Sequence, residues 1–195
     1  MTPPSLSSSE ESASRIRILG AAQRLFAQRG FDATPTKAIA EQAGVPSGLI
    51  FYYYGNKRGL LTAILRDGAF LSHLQRRFDA LDETLSPRAF LLALVQMISA
   101  EVSVNLEVMQ VIISEMQHHP EVLGEVRRLR EPFSRYAADR LVKKFRGTPL
   151  EQVDAQLVVK LLFSNLIFMH LVDREPPTEA QLESMADAFW YGSNK

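Results

Sequence analysis

Apolar residues recur at spacings of three and four along this 195-residue chain, and runs of strict alternation are missing. That periodicity predicts an all-α fold of nine helices. The first spans about Ser14 to Gln28, with Ile18, Ala22, Leu25 and Phe26 inward and Gly30 as its stop. The second has Thr34 as N-cap, Pro35 at its first position and Gly44 after its end. The third is short, Ser47 to Tyr53, and stops at Gly55. Asn56 caps the fourth, whose face of Leu61, Ile64, Gly68, Leu71, Leu74, Phe78 and Leu81 continues to about Leu81. Ser86-Pro87 starts the fifth, Leu106 to His118 forms the sixth, and Glu121 to Phe145 the seventh. Pro132 should kink or split the seventh, because it removes a backbone donor and crowds the preceding turn. The eighth covers Leu150 to Val172. Pro176-Pro177 separates it from the ninth, which opens on a capping box of Thr178 and Gln181.

Three segments follow. Residues 1–13, rich in Pro, Ser and Glu, read as a disordered tail; 14–58 form a small three-helix domain; 59–195 form a larger helical domain. The tail lacks the basic stretch and apolar core of a signal peptide. The longest apolar run, Leu157 to Val172, is broken by Lys160, Ser164, Asn165 and His170 and is shorter than the ~20 residues of a membrane span. A soluble, cytoplasmic protein with no membrane partner is the expectation.

Charge changes this picture more than composition does. The total is neutral, with 22 basic and 22 acidic groups. Residues 14–68 nevertheless carry Arg15, Arg17, Arg24, Arg29, Lys37, Lys57, Arg58 and Arg66 against Asp32, Glu41 and Asp67. A basic head on a mildly acidic body suits a polyanion-binding module. The chain has no cysteine, which excludes disulfides, thiolate metal sites and cysteine nucleophiles. The four histidines lack metal-ligand spacing, and no nucleophile, paired-carboxylate or phosphate-loop motif stands out. The residues call for no cofactor, no metal and no enzymatic activity.

Within the basic head, Thr34 to Leu61 has the order of a helix-turn-helix: a short helix with small Ala40, a Gly44-Val45-Pro46 turn, and a second short helix carrying Phe51-Tyr52-Tyr53-Tyr54. Ile39, Val45 and Ile50 supply a minimal core, joined by Tyr54. Ser47, Gly48, Leu49, Phe51 and Tyr53 then fall on outer or flanking faces, and Lys37 projects beside them. The histidine, tyrosine and lysine positions are each compatible with ordinary packing or solvation as well.

This segment, from Arg15 to about Leu65, resembles the DNA-binding domain of the tetracycline-repressor (TetR) family of bacterial transcriptional regulators. The resemblance rests on LFAQRGFDATPTKAIAEQAGV, the aromatic-rich third helix and the Asn56-Lys57 start of the fourth. It implies DNA contacts from Thr36 and Lys37, base reading by Ser47, Gly48 and Leu49, and backbone contacts from Tyr53 and Lys57, with Phe51 and Tyr52 on the same DNA-binding helix. Two positions depart from the family pattern. Phe51 stands where Tyr is usual and loses a hydroxyl contact to phosphate. Leu49 stands where Thr or Ser is common, so it is expected to pack on a thymine methyl. Shape readout would then carry part of the specificity.

The body is less legible. The eighth helix is apolar nearly all round, so it is either a central core helix or has a second face buried against a partner. The family resemblance implies a homodimer through the last two helices, with Leu162, Leu166, Met169, Phe189 and Trp190 at the interface. It also implies an enclosed ligand pocket, for which Met97, Met109, Met116, Phe133, Asn165 and Met169 are candidate linings, although ordinary core packing explains the same residues. The reading is a homodimeric regulator, a repressor released from a palindromic double-stranded operator by a small, largely apolar ligand. Control by a protein partner, or a helical enzyme or scaffold with a structural helix-turn-helix, remain open alternatives.

Overall fold

A computed structural model describes residues 8–67, 69–173 and 175–192, and every regular element among them is helical. The elements are α1 (Ser8–Arg29), α2 (Thr36–Ala43), α3 (Ser47–Tyr54), α4 (Lys57–Asp67), α5 (Ala69–Asp79), α6 (Pro87–His118), α7 (Pro120–Lys144), a 3-10 turn (Pro149–Gln152), α8 (Ala155–Asp173) and α9 (Glu179–Gly192). They fall into two compact units. The first is Met1–Gly68 with Glu107–Arg127, and the second is Ala69–Leu106 with Arg128–Lys195.

Several expectations need correction. The tail is shorter than 13 residues: α1 begins at Ser8, and Glu10 and Glu11 lie in its first turn, where carboxylates oppose the positive end of the helix dipole. Residues 1–7 lie outside the described residues. The expected passage of the fourth helix through Gly68 also falls there; α4 ends at Asp67 and α5 starts at Ala69. The fifth and sixth helices are one, α6, of 32 residues. No Gly or Pro interrupts Arg88 to His118, and Asn105 donates to the Glu101 carbonyl one turn back at 2.9 Å instead of diverting the chain. Pro132 does not split α7, which runs through it for 25 residues. The eighth helix starts later than expected. Leu150 belongs to the 3-10 turn, and Asp154 caps α8 by accepting from the Gln156 and Leu157 amides at 2.9 and 3.1 Å. The Thr178–Gln181 capping box forms as read, with bonds of 2.8 and 3.4 Å.

The first unit has one core. Ile18, Ala21, Ala22, Leu25 and Phe26 of α1 meet Ile39 and Ala40 of α2, Leu49 and Ile50 of α3, and Leu60, Leu61 and Ile64 of α4. Val122 of α7 is wholly buried in the same cluster, and Val108, Val111, Ile112 and Met116 of α6 pack against it. The helix-turn-helix therefore shares its core with the end of α6 and the start of α7.

The second unit packs around an aromatic cluster in which Phe78 meets Phe90 and Phe133 edge-on, with centroids 6.3 and 6.2 Å apart. Arg140 lies over Phe78 at 4.7 Å and donates to the Phe78 and Leu81 carbonyls, satisfying the end of α5. Glu101 of α6 is buried and accepts from Arg77 at 2.6 Å, with the His73 ring 3.1 Å away. Buried His170 lies 2.8 Å from the Ser103 hydroxyl and 2.7 Å from the Leu166 carbonyl. By length and composition α6 and α8 could each cross a membrane, against the sequence expectation. Their apolar side chains include core residues such as Leu94, Ile98, Val159 and Leu162, the ordinary position of a core helix.

Candidate DNA-binding surface

The surface is set by three short connections. Between α1 and α2, the Thr34 hydroxyl is wholly buried and reaches the Gly30 and Leu25 carbonyls at 2.7 and 3.2 Å. Thr34 thus closes the end of α1 and does not cap α2, whose N-cap is Pro35 without a side-chain bond. Between α2 and α3, Gly44 adopts φ 64, ψ 41 and its amide caps the end of α2, the left-handed conformation that the turn demands. Between α3 and α4, Asn56 caps by accepting from the Gly59 amide at 2.8 Å. A Cβ on Gly59 would lie 1.9 Å from the Tyr54 carbonyl oxygen, so only glycine lets α4 leave α3 at this angle.

Eight-residue α3 sorts its side chains by one rule. Leu49 and Ile50 are buried, and Tyr53 and Tyr54, one turn later, are half-buried. Positions i, i+1, i+4 and i+5 face the core, which leaves Ser47, Gly48, Phe51 and Tyr52 outward. Phe51 is 53% exposed and Tyr52 61%. The expected outward Leu49 is therefore a core residue, 7% exposed, and cannot meet a thymine methyl. Thr36 is half-buried and Lys37 exposed at the start of α2.

Lys57 is likewise not the free phosphate ligand expected of it. Its ammonium donates to the Phe31, Asp32 and Thr34 carbonyls at 2.8, 3.3 and 3.3 Å and lies 4.4 Å from the centre of the Phe31 ring. An ammonium has three donors, and all three are used on the α1–α2 connection. Lys57 fastens the surface from behind.

Two arginines in the N-terminal half of α1, which the sequence offers only as charge, support this surface. Arg17 donates to the Ala43 carbonyl at 3.2 Å, satisfying the end of α2. The Arg15 guanidinium lies over the Tyr53 ring, 5.0 Å from its centre, and the Tyr54 hydroxyl donates to the Arg15 carbonyl at 3.4 Å. Their placement needs α1 and α3 together, so spacing alone gave no signal.

The ligand and dimer candidates fare differently. Met109 and Met116 belong to the first unit, where Met116 packs against the helix-turn-helix core. Met97 and Phe133 are buried in the second unit, Met169 is half-buried and Asn165 is exposed. Two of the six thus fall in the first unit and four in the second. Two clefts open on the first unit, of about 540 and 510 Å³, and none of the six lines either. Leu162 and Leu166 are wholly buried within the chain and offer no exposed surface. The apolar side chains that α8 exposes are Leu157, Leu161, Phe168 and Val172. Phe189 and Trp190 of α9 are half-buried.

Comparison with known proteins places this architecture. The model for bacterial regulatory proteins of the tetR family matches residues 18–64, and that for the tetracyclin repressor-like C-terminal domain matches 81–189. The HTH-type transcriptional repressor KstR2 of Rhodococcus jostii is 36% identical over 94 residues, 48% of this chain and 45% of its own length, so the match spans under half of that relative. An uncharacterized HTH-type transcriptional regulator of Bacillus subtilis, YvkB, is 28% identical over 184 residues, 90% of this chain and 95% of its own. Among solved structures, the fatty acid degradation regulator FadR from Bacillus halodurans superposes with a TM-score of 0.69 at 16% identity, covering 97% of this chain and 96% of that one. Salmonella enterica GusR gives 0.69 at 18%, covering 91% and 95%. These last two likenesses concern the fold. With family models covering both the helix-turn-helix and most of the body, the chain belongs to the TetR family and is a DNA-binding transcriptional regulator.

Proposed function

We propose that this protein is a cytoplasmic homodimeric repressor that leaves a palindromic operator when a small, largely apolar ligand binds its second unit. The observation that carries the dimer is the stripe on α8. Leu157, Leu161, Phe168 and Val172 recur at helical spacing and are each about half exposed or more, from 47% to 65%. Such a row is what a second copy would cover. A two-fold dimer presents two recognition helices to successive major grooves, about 34–36 Å apart, which is why a palindrome is expected.

On each copy, Ser47, Gly48, Phe51 and Tyr52 of α3 would face the groove, with Lys37 and Thr36 beside them and Tyr53 at the flank. Phe51 takes the role first given to Leu49, since its exposed ring is the apolar surface that a thymine methyl would meet. The repressor names of curated relatives support the sign of regulation. The match of the body to the tetracyclin repressor-like C-terminal domain supports control by a ligand.

Selection of bound duplexes from a random pool, followed by sedimentation of the free protein, tests the proposal. Enriched palindromes and a dimeric mass are expected. Enrichment of single half-sites by a monomer would overturn the homodimer. Apolar compounds that bind the protein should release the selected duplex, and binding without release would overturn ligand control.

A further inference from the structure

We infer that Arg15 and Tyr53 together form a DNA-backbone contact at the edge of the recognition surface, and that Glu11, one turn earlier on α1, holds its strength down. The inference rests on the DNA-binding role of the first unit. Arg15 opens the stretch that resembles the family's DNA-binding domain, but that resemblance assigns it no DNA contact.

The geometry is fixed from both sides. The Tyr54 hydroxyl bonds the Arg15 carbonyl at 3.4 Å, and Arg17 bonds the Ala43 carbonyl at 3.2 Å, so the start of α1 is tied to the ends of α3 and α2. Arg15 and Tyr53 line a cleft of about 540 Å³ together with Asn56, Arg58 and Arg66. The three arginines of that cleft are not equivalent. Arg58 is matched to Glu121 at 3.3 Å and Arg66 to Glu125 at 3.1 Å. Arg15 is held instead by the face of the Tyr53 ring at 5.0 Å. A guanidinium held over a ring face keeps N–H donors for a phosphate and loses less side-chain freedom on binding one. Tyr53 sits at the end of α3, so a phosphate flanking the groove would meet the ring edge and the guanidinium together.

Glu11 opposes this. It stands four residues before Arg15 on the same helical face. The Tyr53 hydroxyl is pushed above the usual tyrosine range, by burial first and by the charge of Glu11 next. A carboxylate that the Tyr53 hydroxyl feels would also repel a phosphate docked there.

The test uses the full chain and a labelled duplex that the wild-type protein has enriched from a random pool. Affinity is measured from about 50 to 300 mM salt. Arg15→Gln should weaken binding about fivefold to tenfold and make the log–log salt slope shallower by about one per bound copy. Glu11→Gln should bind about twofold to threefold tighter at low salt, with the gain fading as salt rises. Opposite signs from neighbouring positions do not arise from a folding defect, and thermal unfolding of both variants should stay close to wild type. An unchanged slope in Arg15→Gln, even with weaker binding, would reduce the arginine to a fastener of α1 and overturn the inference, as would a Glu11→Gln variant that binds no tighter. If the wild type enriches no duplex, the DNA-binding role itself fails and the inference falls with it.

Discussion

Helices α3 and α8 face the same problem in two different units. Each is more apolar than one core can absorb, and each therefore shows apolar side chains to the outside. In α3, Leu49 and Ile50 go inward while Phe51 and Tyr52 stay out. In α8, Val158, Val159, Leu162 and Leu166 go inward while Leu157, Leu161, Phe168 and Val172 stay out. The remainder differs in kind. On α3 it is two aromatic rings beside a serine and a glycine, a small patch that can meet bases and sugars. On α8 it is a row with helical spacing, a surface another helix could match. Surplus hydrophobicity marks an interface in both places, and its shape tells the kind of partner.

The comparison breaks first at the inward positions. Leu162→Ala should cost about 2–5 kcal/mol, and Leu49→Ala a similar amount. Both should appear as lower midpoints in denaturant unfolding, and DNA binding should fall in Leu49→Ala only as far as the fold does. If Leu49→Ala leaves stability intact but changes the preferred sequence, Leu49 faces the groove after all.

The outward positions should separate the two helices. Phe168→Glu, in the middle of the α8 row, should dissociate the proposed dimer by a hundredfold or more, on the order of 3 kcal/mol, while leaving each copy folded. Sedimentation equilibrium reads this directly, and an unchanged dimer would assign the row to another partner. Phe51→Ala should leave both stability and dimerisation within about 0.5 kcal/mol. Its effect belongs to DNA, as an altered preference among selected sequences, and an unaltered preference would remove Phe51 from the reading face.

A smaller effect tests the support behind α3. Lys57→Met keeps the stem of the side chain and removes three bonds to carbonyls, so a loss of about 1–3 kcal/mol is expected in thermal unfolding. The salt slope of DNA binding should not move. A slope shallower by one would return Lys57 to the phosphate role.

The smallest effect concerns pH in the second unit. Burial raises the pKa of Glu101, but the His73 and Arg77 bonds outweigh it and hold the carboxyl below its ordinary value. Its contribution is therefore complete above the unfolded carboxylate pKa of about 4.3 and is lost as pH falls through the lower folded value. Stability of the wild type should drop along this acid limb. Glu101→Gln should be less stable at neutral pH and show a shallower limb, and an identical limb in both would detach Glu101 from acid unfolding.

Much of this arrangement was written in the chain at short range. Gly44, the Asn56 cap and the Thr178–Gln181 box are decided by one or two residues and their own backbone, and each was legible. Thr34 was misread because two chemistries compete for one hydroxyl: a cap on α2, or a bond back to the carbonyls of α1 nine and four residues earlier. Only packing decides between them. Leu49 was misread because α3 is barely two turns long, and adjacent Leu49 and Ile50 span an arc that either face could claim. Lys57 and Arg15 depend on carbonyls and rings that lie more than twenty residues away in the chain. The division of α6 between the two units falls where the sequence reading starts a separate sixth helix, at Leu106, although the helix itself runs on without a break.

That shared use of α6 and α7 bears on how this regulator can be cut and recombined. Val122 is a full member of the helix-turn-helix core, with Val108, Val111, Ile112 and Met116 against it. An N-terminal fragment ending near residue 68 would leave those contacts empty and expose apolar surface. A chimera that transplants the DNA-reading head onto another sensor would need to carry 107–127 as well, although that segment lies inside the stretch matched by the family's C-terminal model. The boundary a shuffler of domains would draw along the chain is not the one its packing draws.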